Sequence, residues 1–204
     1  MDFGAGSHTN NNKKRSISSI AKNSSVNASK GRLLFRLANY FQPHTMLELG
    51  TSLGLSAMYL AGYSQNASLI TLEGNPDSAT IAKNNWEKTG IKNIECVTGN
   101  FHETLDPALK NLPNIDLAYI DGNHTYRATI DNCKKIMQRM HEDAVLILDD
   151  IHWSHEMKKA WDELSALPEI SVSIDLFDLG LLFFKKDQEK EHFILRFNPK
   201  KPAL

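Results

Sequence analysis

From Thr45 onward the chain alternates short apolar runs with amphipathic stretches, and this alternation constrains its fold more than any other feature. Met46-Leu47-Glu48-Leu49 reads as a buried strand running into Gly50, and a helical stretch follows to about Gly62. Leu69–Leu72 is a second strand. The next helix is well marked, with Asn75 as its cap, Pro76 in its first turn and Gly90 at its end. Ile94–Val97, Ile115–Ile120 and Ala144–Leu148 are strands three to five. The helix before the fifth places Ile130, Cys133, Met137 and Met140 on one face, and the helix after it does the same with Met157, Ala160, Trp161, Leu164 and Leu167. Ile170–Phe177 and Leu181–Lys185 close the chain, joined through Asp178-Leu179-Gly180, a turn short enough to require an antiparallel pair. Strands alternating with helices predict an α/β fold: a doubly wound, mostly parallel sheet with helices on both faces and a terminal antiparallel hairpin.

Residues 1–14 are rich in Gly, Ser, Asn and Thr and are expected to be flexible. A helical pattern starts near Ser16, carries Leu33, Leu34, Leu37, Tyr40 and Phe41, and stops at Pro43. The chain therefore divides into a flexible segment with a cap helix at 1–42 and a domain at 43–204. That helix, apolar on one side, can cover the sheet of its own chain or pack on a second copy, so a homodimer is open to it. Seven basic residues in the first 40 stand against Asp2 alone, a net of +6 that leaves −7 on the rest. A basic arm can steer an anionic partner, but a net charge of −1 is not that of a nucleic-acid or membrane binder. Two cysteines make no disulfide framework and no zinc cluster, and neither a secretory leader nor an apolar run of about 18 residues is visible. A reducing, cytoplasmic compartment is expected.

Ligands of open α/β sheets bind beyond the carboxyl ends of the strands. The first such end is Glu48-Leu49-Gly50-Thr51-Ser52-Leu53-Gly54. Its glycines let a ligand approach the backbone, and the helix behind it offers N–H groups. It is not the dinucleotide fingerprint, because Ser52 replaces the middle glycine, and Glu48 would repel a pyrophosphate. An ammonium and a sulfonium would instead be attracted, each charge-assisted hydrogen bond contributing about 1.5–3 kcal/mol. S-adenosylmethionine (SAM) carries both. Glu73, followed by Gly74, lies 23 residues beyond Gly50, where an acid accepts from ribose hydroxyls; alternatively it favours the next helix N-terminus by charge. Asn100 and Phe101 follow strand three, as a base-edge partner and an apolar wall, or as a helix cap.

Asp121-Gly122-Asn123-His124 follows strand four, and Asp149-Asp150-Ile151-His152-Trp153 follows strand five. In such a sheet these ends converge. Asp121, Asp149 and Asp150 suit a hard cation such as Mg²⁺, or else cap turns and helices. Either a cation or an imidazole, His124 or His152, could deprotonate a hydroxyl acceptor near Asp121. Trp86 and Trp161 are expected in the core, Trp153 on a pocket wall, and His102, His141 and His155 at the surface.

The stretch Leu47–Gly54 resembles motif I of the class I SAM-dependent methyltransferases, particularly their O-methyltransferase branch, with Glu73 at the ribose-binding acid. Tyr119–His124 and Asp149–Ser154 resemble segments of an uncharacterised bacterial group of these enzymes. The resemblance spans about residues 30–197. It implies a Rossmann-like, seven-stranded sheet with the last strand inserted antiparallel, SAM as methyl donor, and a divalent ion on Asp121, Asp149 and Asp150, although relatives often carry an amide where this chain has Asp150. Many relatives also carry an aspartate where this chain has Asn100. Asp2–Ser7 resembles an interior segment of longer relatives, which implies a chain that starts late, without part of its N-terminal cap. The activity expected is methyl transfer to a hydroxyl of a small molecule. A nucleic-acid methyltransferase using the basic arm, and a non-catalytic SAM-binding protein, are the alternatives.

Overall fold

A computed structural model describes residues 26–112 and 114–196, so readings made on 1–25 lie outside the described residues. The chain forms two compact units divided at Pro113. The first holds helix α1 (Ala28–Phe41), strand β1 (Thr45–Leu49), α2 (Leu55–Ala61), β2 (Ser68–Glu73), α3 (Pro76–Thr89), β3 (Ile94–Thr98) and α4 (Phe101–Asn111). The second holds β4 (Ile115–Ile120), α5 (Tyr126–Met137), β5 (Met140–Asp149), α6 (His155–Ala166), β6 (Val172–Asp175), β7 (Leu179–Phe183) and β8 (Glu191–Ile194). No helix among the described residues is long and apolar enough to cross a membrane.

In the first unit β1, β2 and β3 are parallel, with β2 in the middle. The register sets Glu48 beside Thr71, and Thr71 beside Cys96, so these three side chains form one row across the strands. Helix α1 starts at Asn27, whose side chain accepts from the amides of Ser29 and Lys30. It buries Gly31, Leu34 and Ala38, one stripe at helical spacing, and packs on α2. Helix α3 has the cap, the proline and the terminal glycine that its sequence announced. Helix α4 lies beyond the turn where the sequence reading stopped. Asn100 caps it, and Leu105, Ala108 and Leu109 form its buried stripe, while Pro107 breaks up the pattern of a good helix former.

In the second unit the order is β4-β5-β7-β6-β8. Strands β4 and β5 are parallel, with Ile120 beside Leu148, so their carboxyl ends do converge. Strand β7 lies between β5 and β6, antiparallel to both, which is the inserted last strand implied by the resemblance. Two boundaries and the number of strands differ from expectation. Met140 belongs to β5, because α5 stops at Met137. The β6–β7 turn is Leu176-Phe177-Asp178, because Leu179 and Gly180 already pair with Asp149 and Leu148. The described strands number eight, since β8 pairs parallel with β6. All four residues of β8 are exposed, so no apolar alternation marked it.

Trp86 and Trp161 are buried as expected. Trp86 anchors the loop after β1: its indole N–H donates to the Gly54 carbonyl at 2.9 Å. Gly54 has φ 77°, and a Cβ there would lie 2.5 Å from the Trp86 ring nitrogen. Gly54→Ala should therefore lower stability by about 2–4 kcal/mol, from left-handed strain and overpacking together. Urea melts measure this; an unchanged midpoint would mean that the loop yields and is not fixed by Trp86.

Candidate functional site

The first strand-end loop is built from backbone angles that few side chains tolerate. Gly50 has φ 97°, and its N–H donates to the Leu72 carbonyl at 3.0 Å, tying the loop to β2. Ser52, in place of the middle glycine, also sits in the left-handed region, with φ 48°. Its N–H donates to Glu73 Oε2 at 2.7 Å, and the Asn75 N–H donates to Glu73 Oε1 at 2.8 Å. Two backbone donors thus fix the direction of the Glu73 carboxylate at the carboxyl end of β2, with Gly74 half-buried beside it. Asn100 spends its side-chain oxygen on the His102 N–H at 3.1 Å, which is the capping role, and Phe101 is half-buried as the first residue of α4.

Glu48 lies deep in the fold. Its side chain is 0% exposed, so the carboxylate lies beneath the loop and presents no surface to an ammonium group. The register explains this: Glu48 belongs to the interior row with Thr71, whose hydroxyl donates to Glu48 Oε2 at 2.5 Å. The hydroxyls of Thr71 and Thr51 lie 2.6 Å apart, so Thr51, also buried, joins the same network. Glu48 Oε1 is buried without a well-formed hydrogen bond. Burial pushes the pKa up to about 7; the Ser56 and Thr71 hydroxyls pull it back and the Glu73 charge adds to the rise. Ser56 went unnoticed in the sequence because a serine in the first turn of a helix carries no signal of its own.

In the second unit Asp121 follows β4, and Asp149 and Asp150 end and follow β5. Asp149 is the last residue of β5 and Asp150 lies beyond it, outside the alternation of the strand. Asp149 is buried; the Tyr119 hydroxyl donates to its Oδ2 at 2.6 Å and the Asp150 N–H to its Oδ1 at 2.9 Å. Asp150 has φ 55°, and its N–H also meets the Asp178 carbonyl at 2.7 Å. That turn brings its carboxylate to Asp121, and the third member of the group is His124. One ligand atom from each of Asp121, His124 and Asp150 lies within 4.8 Å of the others. Of the expected set of Asp121, Asp149 and Asp150, the first and last converge with His124, while Asp149 lies buried on the Tyr119 hydroxyl, which also reaches Asp121 Oδ2 at 3.4 Å.

His124 Nε2 lies 3.6 Å from Asp121 Oδ1, and its ring is 5.6 Å from that of Trp153, which is 47% exposed. His152 is engaged elsewhere. Its Nε2 is 2.7 Å from Oδ2 of the buried Asp175, and its ring stacks on Phe177 at 5.1 Å. Asp175 was missed in the sequence; its only signal was an acid in an otherwise apolar strand. His141 pairs with Asp116 at 2.8 Å.

Residues 47–151 match the model of a family described as a methyltransferase domain. The chain belongs to this family. The match contains every residue of the two strand-end groups from Glu48 to Asp150 and leaves His152, Trp153 and Asp175 outside. The methyltransferase domain is 31% identical over 134 residues to a catechol O-methyltransferase of Mycobacterium tuberculosis, covering 62% of this chain and 56% of the relative. It is 31% identical over 102 residues to the catechol O-methyltransferase of Niastella koreensis, covering 48% and 46%. The chain thus spans about half the length of the curated relatives it matches. Among solved structures it is similar to a putative O-methyltransferase from Klebsiella pneumoniae, with TM-score 0.69, 19% identity and coverage of 79% and 82%. An O-methyltransferase from Bacillus cereus in complex with SAH is similar at TM-score 0.67 and 21% identity, covering 78% and 82%. These structures show the fold: α/β, Rossmann-like and mostly parallel, with an antiparallel hairpin.

The Glu48 carboxyl gives this methyltransferase domain a pH signature. Its folded pKa of about 7 lies above the ordinary value of 4.5, so the folded state holds the proton longer than the unfolded chain. Its contribution is fully present below about pH 4.5 and is lost as pH rises through 7. Relative to Glu48→Gln, the wild type should lose stability on the order of 2–3 kcal/mol between pH 4.5 and pH 8. Parallel urea titrations of the two proteins at several pH values test this; a constant difference would show that Glu48 is not buried as described.

Proposed function

We propose that this chain transfers a methyl group from SAM to a hydroxyl of a small molecule. The observation that carries the reading is the pair of backbone bonds from Ser52 and Asn75 that aim Glu73 at the loop after β1. A carboxylate so held accepts from vicinal ribose hydroxyls and fixes the nucleoside of the donor. The bent loop of Gly50, Thr51 and Ser52 offers backbone to the methionine end. Glu48 supports that loop from beneath through Thr71 and Thr51. Asn100 and Phe101, at the turn into α4, are the candidates for the adenine.

Asp121, His124 and Asp150 are the residues assigned to the acceptor. The curated relatives act on catechols by name, and a catechol presents two adjacent oxygens. A divalent cation would be held by Asp121 and Asp150, and it would polarise an acceptor hydroxyl toward its anion. The donor set fits such an ion: two carboxylates and an imidazole, each half-buried, converge on one spot. Transfer itself then needs little from the protein beyond holding donor and acceptor oxygen in line and excluding water. Of the two candidate imidazoles, only His124 stands with the acids.

Calorimetric titration with SAM and with S-adenosylhomocysteine tests the donor half. Glu73→Ala should weaken binding about 10- to 100-fold, the worth of one or two charge-assisted hydrogen bonds. Unchanged affinity in that variant would remove the donor reading. Asp121→Asn and Asp150→Asn should keep SAM binding and lose turnover of a catechol; full turnover in both would sink the assignment of the acceptor site.

A further inference from the structure

Strand β8 is the last strand of the second unit, and among the described residues no strand pairs with its outer edge. Its inner edge is firmly tied. The Glu191 N–H donates to the Ser171 carbonyl and the Leu195 N–H to the Asp175 carbonyl, each at 2.8 Å. His192 shares a hydrogen bond of 2.7 Å with the buried Ser173 hydroxyl, and the Lys190 ammonium donates to the Leu167 carbonyl at 2.7 Å. Backbone groups of successive strand residues point to opposite edges. Glu191, Phe193 and Leu195 therefore turn theirs to β6, and His192, Ile194 and Arg196 turn theirs outward. The same stretch is apolar at its surface: Phe193, Ile194 and Leu195 are 41%, 74% and 50% exposed. Natural proteins blunt a free edge with proline, lysine or a bulge. Residues 191–196 contain no proline and no lysine, and β8 pairs with β6 in unbroken register.

The residues that follow, 197–204, make a poor cover for this edge. Doubled back on β8 they would bring in Pro199 and Pro202, which lack the N–H that a ladder needs. A second copy of β8 meets the requirement. In an antiparallel pair, outward-pointing residues must face outward-pointing residues. A two-fold axis therefore passes through a residue and never between two. An axis at Phe193 sets Lys190 against Arg196 of the second copy, a destabilising like-charge pair. An axis at Ile194 centres the apolar run and avoids that clash. It sets Ile194 against Ile194, and Phe193 and Leu195 against each other on both sides, with His192 facing Arg196 and Glu191 facing Phe197. Helix α1, the other apolar surface open to a second copy, has its buried stripe packed within its own unit. We propose that two copies of this chain pair antiparallel through β8, about a two-fold axis at Ile194. A single pair of strands makes a small interface, so the dissociation constant is expected on the order of 10–100 µM.

Sedimentation velocity of the full chain, from about 5 to 500 µM, should show a monomer–dimer equilibrium in the expected range. Ile194→Pro removes one outward N–H and an apolar side chain and leaves the bonds from β8 to β6 in place. It should weaken the dimer at least tenfold with little change in melting temperature, and Ile194→Lys should do the same. A wild type that stays monomeric throughout would overturn the proposal, and so would a dimer that both variants leave intact. The register is tested by cross-linking. Ile194→Cys sets two thiols opposite each other at the axis, about 5.5 Å apart between Cα atoms, and oxidation should give a disulfide-linked dimer that wild type does not form. Phe193→Cys should link far less, because Leu195 stands opposite; efficient linking there instead would overturn the axis. Hydrogen exchange on wild type alone guards against a variant that fails to fold. Exchange at the Ile194 and Arg196 amides should slow as protein concentration rises. Protection independent of concentration would mean that the same chain covers the edge, and would overturn the proposal.

Discussion

The Thr71 hydroxyl, donating to the buried carboxylate of Glu48 at 2.5 Å and lying 2.6 Å from the Thr51 hydroxyl, is the joint on which the first strand-end loop depends. An isolated ionised carboxylate in an apolar interior would be untenable. Two things make it tolerable here: the hydroxyls that meet it and a pKa raised to about 7. From that joint the rest of the loop follows. Thr51 is held down, Ser52 is thrown into the left-handed region, and its N–H is thereby presented to Glu73. Gly54 then closes against Trp86, which joins the loop to helix α3.

The second unit solves a related problem differently. Four acids, Asp121, Asp149, Asp150 and Asp175, collect near the ends of β4, β5 and β6. Two of them are hydrogen-bonded in the interior, Asp149 to Tyr119 and Asp175 to His152. The other two are left half-buried beside His124. Sorting the acids in this way leaves one pair of carboxylates partly open to solvent at one spot. It also separates the two histidines, which look alike in sequence: one belongs to the acid pair, the other to the β6–β7 turn.

Much of the fold was legible because its signals are local. Asn75, Pro76 and Gly90 mark α3 wherever it is placed, and the Ile115–Ile120 strand is bounded by its own apolar run. What escaped depends on partners. Strand β8 shows no buried face, so only its pairing with β6 makes it a strand. Helix α4 carries a proline in its interior and is recognisable by its cap and its packed stripe together. Leu179 and Gly180 resemble a turn until β5 is set beside them. In the candidate site, Gly50, Ser52 and Glu73 could be found by spacing, whereas Ser56, Tyr119 and Asp175 could not, because each acts through a partner remote in sequence.

The sequence by itself determined the order of strands and helices, the strand ends where chemistry gathers, and the acids and imidazoles available there. These follow from periodicity, caps and turns, which are properties of a few consecutive residues. Only the tertiary structure decided which acid faces inward. Glu48 is buried on the Thr71 hydroxyl beneath the loop, and Asp149 is buried on the Tyr119 hydroxyl. The reason is register. Whether a carboxylate meets solvent, a ligand or a buried hydroxyl depends on the neighbouring strand, 23 residues away for Glu48 and 30 for Asp149, and no local pattern encodes that alignment.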